Sequence, residues 1–356
     1  MRATNAASRL GAYAGVALLL SATVVACGSD KKSTSTSGAT TTVAAAPSST
    51  TGAAGALTMR AGLNDPKDPN IAVLQFLPQS VTVTAGSTVE WRIAGPEPHT
   101  ITFLPPGQTP PTPDKADPFF TPTPAANGVY DGKSLVNSGL APQGPTPAAP
   151  FRLTFPTAGK YSYQCLIHPQ MTGTVNVVAA GTKADTQADI DSRSGSELNQ
   201  WLAEGEAAKQ KLTSTPPVST KNSDGSTTWK IEMGASTAHT DVLAFSPASP
   251  DVKVGDTVTF VNNSGAPHTA SFAGKGTLPQ SPIDPATATP TPGPSPQTLN
   301  PTAVFNSGVL PPNAPPGNGP PEAARSYSYV VKTAGTYNYI CIYHVPSGMA
   351  GAIKVA

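Results

Sequence analysis

Charged side chains are scarce in this chain of 356 residues: Asp, Glu, Lys and Arg make up 12% of it, and the formal net charge is +1. This balance provides no basic face for nucleic acid and no acidic tail. Histidine and cysteine are rarer still, with five and three residues. No His-x-His pair, Ser/His/Asp arrangement, phosphate-binding loop or carboxylate pair stands out, so the sequence argues against an enzyme.

Proline and glycine are abundant, with 40 and 32 residues, and they are concentrated in separate segments. Two such segments, 104–130 and 273–300, contain runs such as Thr-Pro-Gly-Pro-Ser-Pro that cannot pass through the interior of a sheet. We therefore expect surface loops, partly in the polyproline II conformation, that form a cover or a docking surface beside a folded domain.

The N-terminal residues 1–26 combine Arg2 and Arg9 with a short apolar stretch, which predicts an export signal. The stretch ends in Thr-Val-Val-Ala-Cys27, which resembles the lipobox of bacterial lipoproteins and implies cleavage before Cys27 and a lipid on its sulfur. An ordinary signal peptide with a nearby cysteine is the alternative. The Ser/Thr/Ala/Gly-rich segment 27–56 would then be a disordered tether. We expect the chain to be anchored to the outer face of the cytoplasmic membrane, in the periplasm or at the cell surface.

Short β-strand patterns follow, and they occur twice. A shift of 169 residues superimposes Trp91 on Phe260 and His99 on His268, and a shift of 176 superimposes Cys165 on Cys341. The sequence therefore predicts an all-β protein with two copies of one Greek-key sandwich, at 57–180 and 226–356.

Between the two copies, the linker 181–225 has the pattern of an amphipathic helix. Ser196 resembles an N-cap, and Leu198, Trp201 and Leu202 share one face. We expect this helix to pack its apolar stripe on one or both sandwiches, with Trp201 as a packing residue and Gly205 as an interruption.

Two loops at repeat-matched positions carry a thiol, an imidazole and a thioether. The first loop contains Cys165, His168 and Met171, and the second contains Cys341, His344 and Met349. These soft and borderline donors suit copper that cycles between Cu(I) and Cu(II). Such a site needs a second imidazole, and each copy offers one just after a strand, His99 or His268.

These residues and their spacing resemble the cupredoxins, the blue-copper family of plastocyanin, amicyanin and pseudoazurin. The resemblance implies that each copy binds one type 1 copper and that the chain passes electrons to redox partner proteins. The implied ligand sets are His99, Cys165, His168 and Met171 for the first site, and His268, Cys341, His344 and Met349 for the second. The first loop has amicyanin-like Cys-x2-His-x2-Met spacing and the second plastocyanin-like Cys-x2-His-x4-Met spacing, which predicts unequal reduction potentials.

Other interpretations of these residues have to be weighed. A Cys165–Cys341 disulfide would leave the paired histidines unexplained, and zinc would not account for a single sulfur with an axial methionine. A copper-delivery protein is the main alternative function, and an adhesive surface protein is a third. We expect His239 to be a surface residue, whereas Thr100 and Thr269 either hydrogen-bond within the sites or are plain strand-edge residues. Met59 and Met233 are expected to pack in the first strands of the two copies.

Overall fold

The computed structural model describes residues 55–110, 121–140, 148–278, 293–313 and 319–356. The predicted export signal and Cys27 lie outside the described residues, as does the predicted tether except for its last two residues. Ala56, the last of these, already belongs to the first strand. Within the described ranges, no helix is long and apolar enough to cross a membrane.

The first sandwich consists of two sheets that enclose one core. Its strands are β1 Ala56–Asn64, β2 Ile71–Leu77, β3 Ser80–Thr84, β4 Ser87–Ile93, β5 Thr102–Phe103, β6 Val136–Asn137, β7 Phe151–Phe155, β8 Gly159–Gln164 and β9 Thr172–Val178. Strands β2, β1, β4 and β7 lie side by side in one sheet, and the other sheet has the order β3-β9-β8-β5-β6. Alternate residues of β9 are buried, as expected when one face of a strand covers a core.

The second sandwich repeats this plan with two additional strands, β10 and β16. Its strands are β10 Ser219–Lys221, β11 Thr227–Ser236, β12 Thr240–Ser246, β13 Asp251–Val252, β14 Thr257–Asn262, β15 Ser271–Phe272, β16 Gln297–Leu299, β17 Phe305–Asn306, β18 Ser326–Val331, β19 Gly335–Ile340 and β20 Ala350–Val355. The ring centroids of Trp91 and Tyr163 lie 5.2 Å apart in the first core, and those of the repeat-related Phe260 and Tyr339 lie 5.0 Å apart in the second. Both contacts are edge-on, the arrangement that aromatic rings favour. The predicted all-β class and the two sandwiches are confirmed.

The two sandwiches share a sheet, which the sequence did not predict. Strand β12 pairs antiparallel with β2, so that Thr240 lies opposite Val73 and Val242 opposite Ile71. Every residue of β2 is consequently buried. Its Phe76 side chain contributes to the first core, whereas its Leu74 side chain contributes to the second.

The linker helix, α1, spans Gln187–Ser214 and packs on both sandwiches. The prediction that Ser196 is its N-cap is wrong. The N-cap is Thr186, ten residues earlier: its hydroxyl accepts a hydrogen bond from the Asp189 N–H, and the Asp189 carboxylate accepts one from the Thr186 N–H. This capping box satisfies two backbone donors that a helix start otherwise leaves free.

Trp201 is buried against Val73 and Leu77, as expected for a packing residue. The prediction that His239 is a surface residue holds only in part, because the side chain is also packed. Its ring stacks on Trp201 with centroids 4.8 Å apart, and its Nδ1 lies 3.0 Å from Glu204 Oε2, leaving the side chain 26% exposed. The pair joins the helix to the turn between β11 and β12.

The proline-rich segments are described only in part, since 111–120 and 279–292 lie outside the described ranges. One prediction needs correction within the second segment, which was expected to be entirely surface loop. Gln297–Leu299 forms β16, which pairs parallel with β18, and Leu299 is buried. The strand lies at the edge of its sheet, where neighbouring prolines are tolerated although they cannot donate to a ladder.

Gly205 lies inside the helix and provides the first testable consequence. A Cβ at this position would lie 2.5 Å from Ile71 Cγ2 and 2.6 Å from Thr240 Cγ2, whereas a Cβ at Gly195 meets nothing within 4 Å. Gly195→Ala should therefore raise the free energy of unfolding by roughly 0.5–1 kcal/mol through helix propensity. Gly205→Ala should lower it by about 1–3 kcal/mol through overpacking. Urea unfolding of both variants tests this, and equal stabilisation would contradict the close packing of α1 on β2 and β12.

Candidate metal centres

The first candidate centre lies at one end of the first sandwich. His99 follows β4, and Cys165 follows β8 directly. The loop from Cys165 to Met171 is closed by its own backbone: the Cys165 N–H donates to Met171 O at 2.9 Å, and the Met171 N–H donates to His168 O at 2.8 Å. These bonds hold three predicted site residues in one turn and place Met171 in the core.

The donor atoms of this group converge. Cys165 Sγ lies 3.6 Å from His168 Nδ1 and 3.9 Å from His99 Nδ1, and the two Nδ1 atoms are 3.1 Å apart. Two atoms bound to one metal ion at about 2.0–2.3 Å each lie at most about 4.6 Å apart, so a single ion can contact all three.

The second sandwich repeats the geometry with its own residues. Cys341 Sγ lies 3.6 Å from His268 Nδ1 and 3.3 Å from His344 Nδ1, and the two Nδ1 atoms are 3.0 Å apart. Met349 is buried at the loop end, where the Cys341 N–H donates to its carbonyl at 3.0 Å. Both cysteines are free and buried, so the structure does not contain the alternative Cys165–Cys341 disulfide.

The threonines after the upstream histidines contact both cysteine loops. The Thr100 N–H donates to Cys165 Sγ at 3.4 Å, and the Thr100 hydroxyl accepts from the Leu166 N–H at 2.9 Å. Thr269 makes the same two bonds, to Cys341 Sγ at 3.4 Å and from Ile342 N–H at 3.0 Å. Each threonine therefore joins the histidine segment to the cysteine loop.

Sequence reasoning missed two supports of the sites. The Ser138 hydroxyl accepts from the Ile101 N–H at 2.9 Å, and Ser307 accepts from Ala270 at the same distance, which holds the segment after each histidine. Both serines belong to the Asn-Ser-Gly motif that the repeat superimposes, so the repeat itself was the available signal.

The other support is a glycine bulge under each upstream histidine. Gly62 and Gly234 have positive φ, of 68° and 79°, where the strand register shifts between β1 and β2 and between β11 and β12. A Cβ at Gly62 would overlap the His99 ring, and one at Gly234 would lie 3.2 Å from His268 Nε2. A glycine inside a strand pattern is the sequence signal for such a close approach.

Burial sets the ionisation of the donor groups. It lowers the pKa of His168 and of His268 to about 3, and it holds the pKa of His344 well below its usual value. Burial also raises the pKa of the Cys341 thiol to about 11. Without a cation these groups are neutral, so a bound metal ion would displace the thiol proton, and the resulting thiolate together with the two neutral imidazoles would hold the ion.

The structure thus defines a pair of sandwiches, each with a buried His–Cys–His group at one end. The plastocyanin of Scenedesmus fuscus is 33% identical over 125 residues, which are 35% of this chain and 96% of that protein. A plastocyanin of Vicia faba is 29% identical over 113 residues, 32% of this chain and 88% of that protein. The chain belongs to the plastocyanin-like cupredoxins, the blue copper proteins.

Two further comparisons complete this result. A purple cupredoxin from Nitrosopumilus maritimus has 21% identity and a TM-score of 0.21, with 36% of this chain and 98% of that one covered. A TM-score of this size supports no argument about the site. No family model matches the chain.

Asp241 gives a second testable consequence, for the metal-free protein. It accepts hydrogen bonds from Ser236 and from the Gly265 N–H, and burial raises its pKa from 3.8 to about 7. The folded state therefore holds this proton more tightly than the unfolded state, so Asp241 contributes stability at low pH that is lost as the pH rises through 7.

Asp241→Asn removes this dependence. Relative to the variant, the wild type should lose up to about 1.4 kcal/mol of unfolding free energy per pH unit between roughly pH 4 and 7. Urea midpoints of both metal-free proteins across this range provide the measurement. Parallel pH profiles would show that the Asp241 carboxyl is not held in its neutral form.

Proposed function

We propose that the chain is an electron-transfer protein with two type 1 copper sites, one in each sandwich. The observation that carries this proposal is the pair of buried His–Cys–His groups, each with its donor atoms within 4.8 Å of one another. Cupredoxins such as plastocyanin are electron carriers and not enzymes, and copper is the metal that the family implies. When bound, copper supplies a one-electron Cu(I)/Cu(II) couple.

The residues present fit copper. A single thiolate with two imidazole nitrogens is the donor set of blue-copper sites, in which a thioether is the weak axial ligand. We assign His99, Cys165, His168 and Met171 to the first ion, and His268, Cys341, His344 and Met349 to the second. Because the donors come from strand ends and backbone-closed loops, they can keep their positions when the charge of the site changes.

Burial favours an electron carrier over a copper-delivery protein. His99, Cys165, His268 and Cys341 have no exposed surface, and His168 and His344 are 4% and 3% exposed. A delivery protein has to present its ligands to a partner, whereas these ligands are enclosed. The fifth histidine, His239, is engaged with Trp201 and Glu204, so no histidine is left for an additional catalytic copper.

The proposal includes the organisation of the whole chain. We propose two cupredoxin domains at 57–180 and 226–356, the linker at 181–225, and a lipid anchor on Cys27 that follows a removed signal peptide. The redox partners would then be proteins at the outer face of the cytoplasmic membrane, which the two domains reach from the tether at 27–56.

Copper analysis tests the two sites. The wild type should bind two copper ions per chain and show the intense visible charge-transfer band of a Cu(II)–thiolate bond. Cys165→Ser and Cys341→Ser should each remove one ion and about half of the band, because each site has one sulfur that can give this band. Cys27→Ser is the matched control and should retain both ions. A full band in either of the first two variants would contradict the assignment in that sandwich.

Cys27→Ser also tests the anchor in cells. Loss of the lipidated sulfur should move the protein from the membrane fraction to the soluble extracytoplasmic fraction, with its copper content unchanged. Fractionation with metabolic labelling by a fatty acid provides the measurement. If the variant stayed with the membrane as the wild type does, the anchor would have to be elsewhere.

A further inference from the structure

The two ligand loops lie against the opposite sandwich. His168 and Gln170 line a small cavity together with Thr237, Asp241 and Gly265 of the second sandwich. In the second centre, the loop between His344 and Met349 is bound by the first sandwich: Asn70 Nδ2 donates to Ser347 O at 2.6 Å, and Asn64 Nδ2 donates to Ser347 Oγ at 3.1 Å. The second ligand loop therefore depends on the first sandwich for its position.

Glu97 reaches across this interface from the segment before His99. Its carboxyl group is 2% exposed. Oε1 accepts a hydrogen bond from Ser347 Oγ at 2.5 Å. Oε2 is buried with no hydrogen-bond partner among the described residues, and it lies 3.3 Å from His344 Nε2, slightly longer than a typical N–H···O bond.

We propose that Glu97 is a positioning residue that the first sandwich supplies to the metal centre of the second. His344 turns Nδ1 toward Cys341 and His268, so its proton has to be on Nε2 when Nδ1 binds a metal. A carboxyl oxygen at Nε2 accepts that proton's hydrogen bond, whether or not the carboxyl is ionised. This hydrogen bond fixes the tautomer and the ring orientation of His344, and it makes the imidazole a stronger electron-pair donor to a metal ion.

This contact makes the two centres unequal. The repeat places Ala266 where the first copy has Glu97. The second sandwich therefore has no carboxylate at that position that could contact a histidine of the first centre. Asp241 lies beside His168 in the cavity, but its hydrogen bonds come from Ser236 and Gly265. A stronger imidazole donor favours Cu(II) over Cu(I), so the contact should lower the reduction potential of the second site alone.

The inference rests on the proposed function, and single-site backgrounds separate the two. In full-length Cys165→Ser, which retains only the second site, Glu97→Ala should shift the reduction potential to more positive values and alter the Cu(II) EPR spectrum. In Cys341→Ser, which retains only the first site, Glu97→Ala should change neither. Glu97 is two residues from His99, so a merely local role predicts the reverse pattern, and that result would overturn the inference.

Further variants distinguish the loss of this one contact from a general loss of structure. Glu97→Gln keeps an acceptor oxygen and should restore most of the wild-type potential, and Ser347→Ala should shift the second site in the same direction as Glu97→Ala, by less. Glu204→Ala is the matched control. It breaks a carboxylate–histidine contact that involves neither ligand set, that of Glu204 with His239, and should change neither potential. If Glu97→Gln shifted the potential as far as Glu97→Ala, the acceptor role would be wrong.

A spectroscopic readout tests the contact directly. In the Cu(I)-loaded wild type, which is diamagnetic, the His344 Nε2–H resonance should exchange slowly with water, and Glu97→Ala should accelerate the exchange at least tenfold. Equal exchange rates would overturn the inference. If the Cys165→Ser protein bound no copper, the proposed function itself would fail. One copper with unchanged properties after Glu97→Ala would refute only the role of Glu97.

Discussion

Each candidate metal centre places two imidazole nitrogens about 3 Å apart in a buried core. Two nitrogen lone pairs at this separation repel each other unless a proton or a cation lies between them, and burial offers no solvent to relieve the contact. His99 Nε2 is buried with no hydrogen-bond partner among the described residues. His99 is therefore poorly satisfied as an ordinary core residue, and the paired nitrogens of both groups are well arranged to hold a cation.

Much of the surrounding structure holds these donors in place. Gly62 and Gly234 leave room for the upstream rings, Thr100 and Thr269 donate to the sulfurs, and the loop backbones close on their methionines. Such an arrangement suits an electron carrier, because preorganised donor atoms lower the reorganisation energy of a change of charge.

The repeat made the residues of the two His–Cys–His groups and the two sandwiches predictable. Cys165 and Cys341 each lie two residues after a tyrosine and three before a histidine, and strand patterns with period two marked the strands around them. The shared sheet was not predictable, because the pattern of β2 shows that both faces are buried without indicating which strand pairs with it. The same limit applies to Glu97. Its contact with His344 joins residues of different copies, and a single sequence does not indicate which residues of the two copies lie close together.

The helix start and His239 show a different kind of limit. The capping box Thr186-x-x-Asp189 was present in the sequence, but Ser196, closer to the apolar stripe, competed as a start signal. A lone histidine without a repeat partner was assigned to the surface, yet it stacks on the helix that joins the two sandwiches. In both cases, tertiary packing selected among local signals that are individually weak.

The central claim is that one chain holds two copper–thiolate centres of unequal potential. A redox titration of the copper-loaded full-length protein, followed at the Cu(II)–thiolate absorption band, tests it most directly. The protein should take up two electrons per chain in two one-electron steps at different potentials, each of which removes part of the band. A single electron per chain, or copper that binds without a thiolate band, would contradict it.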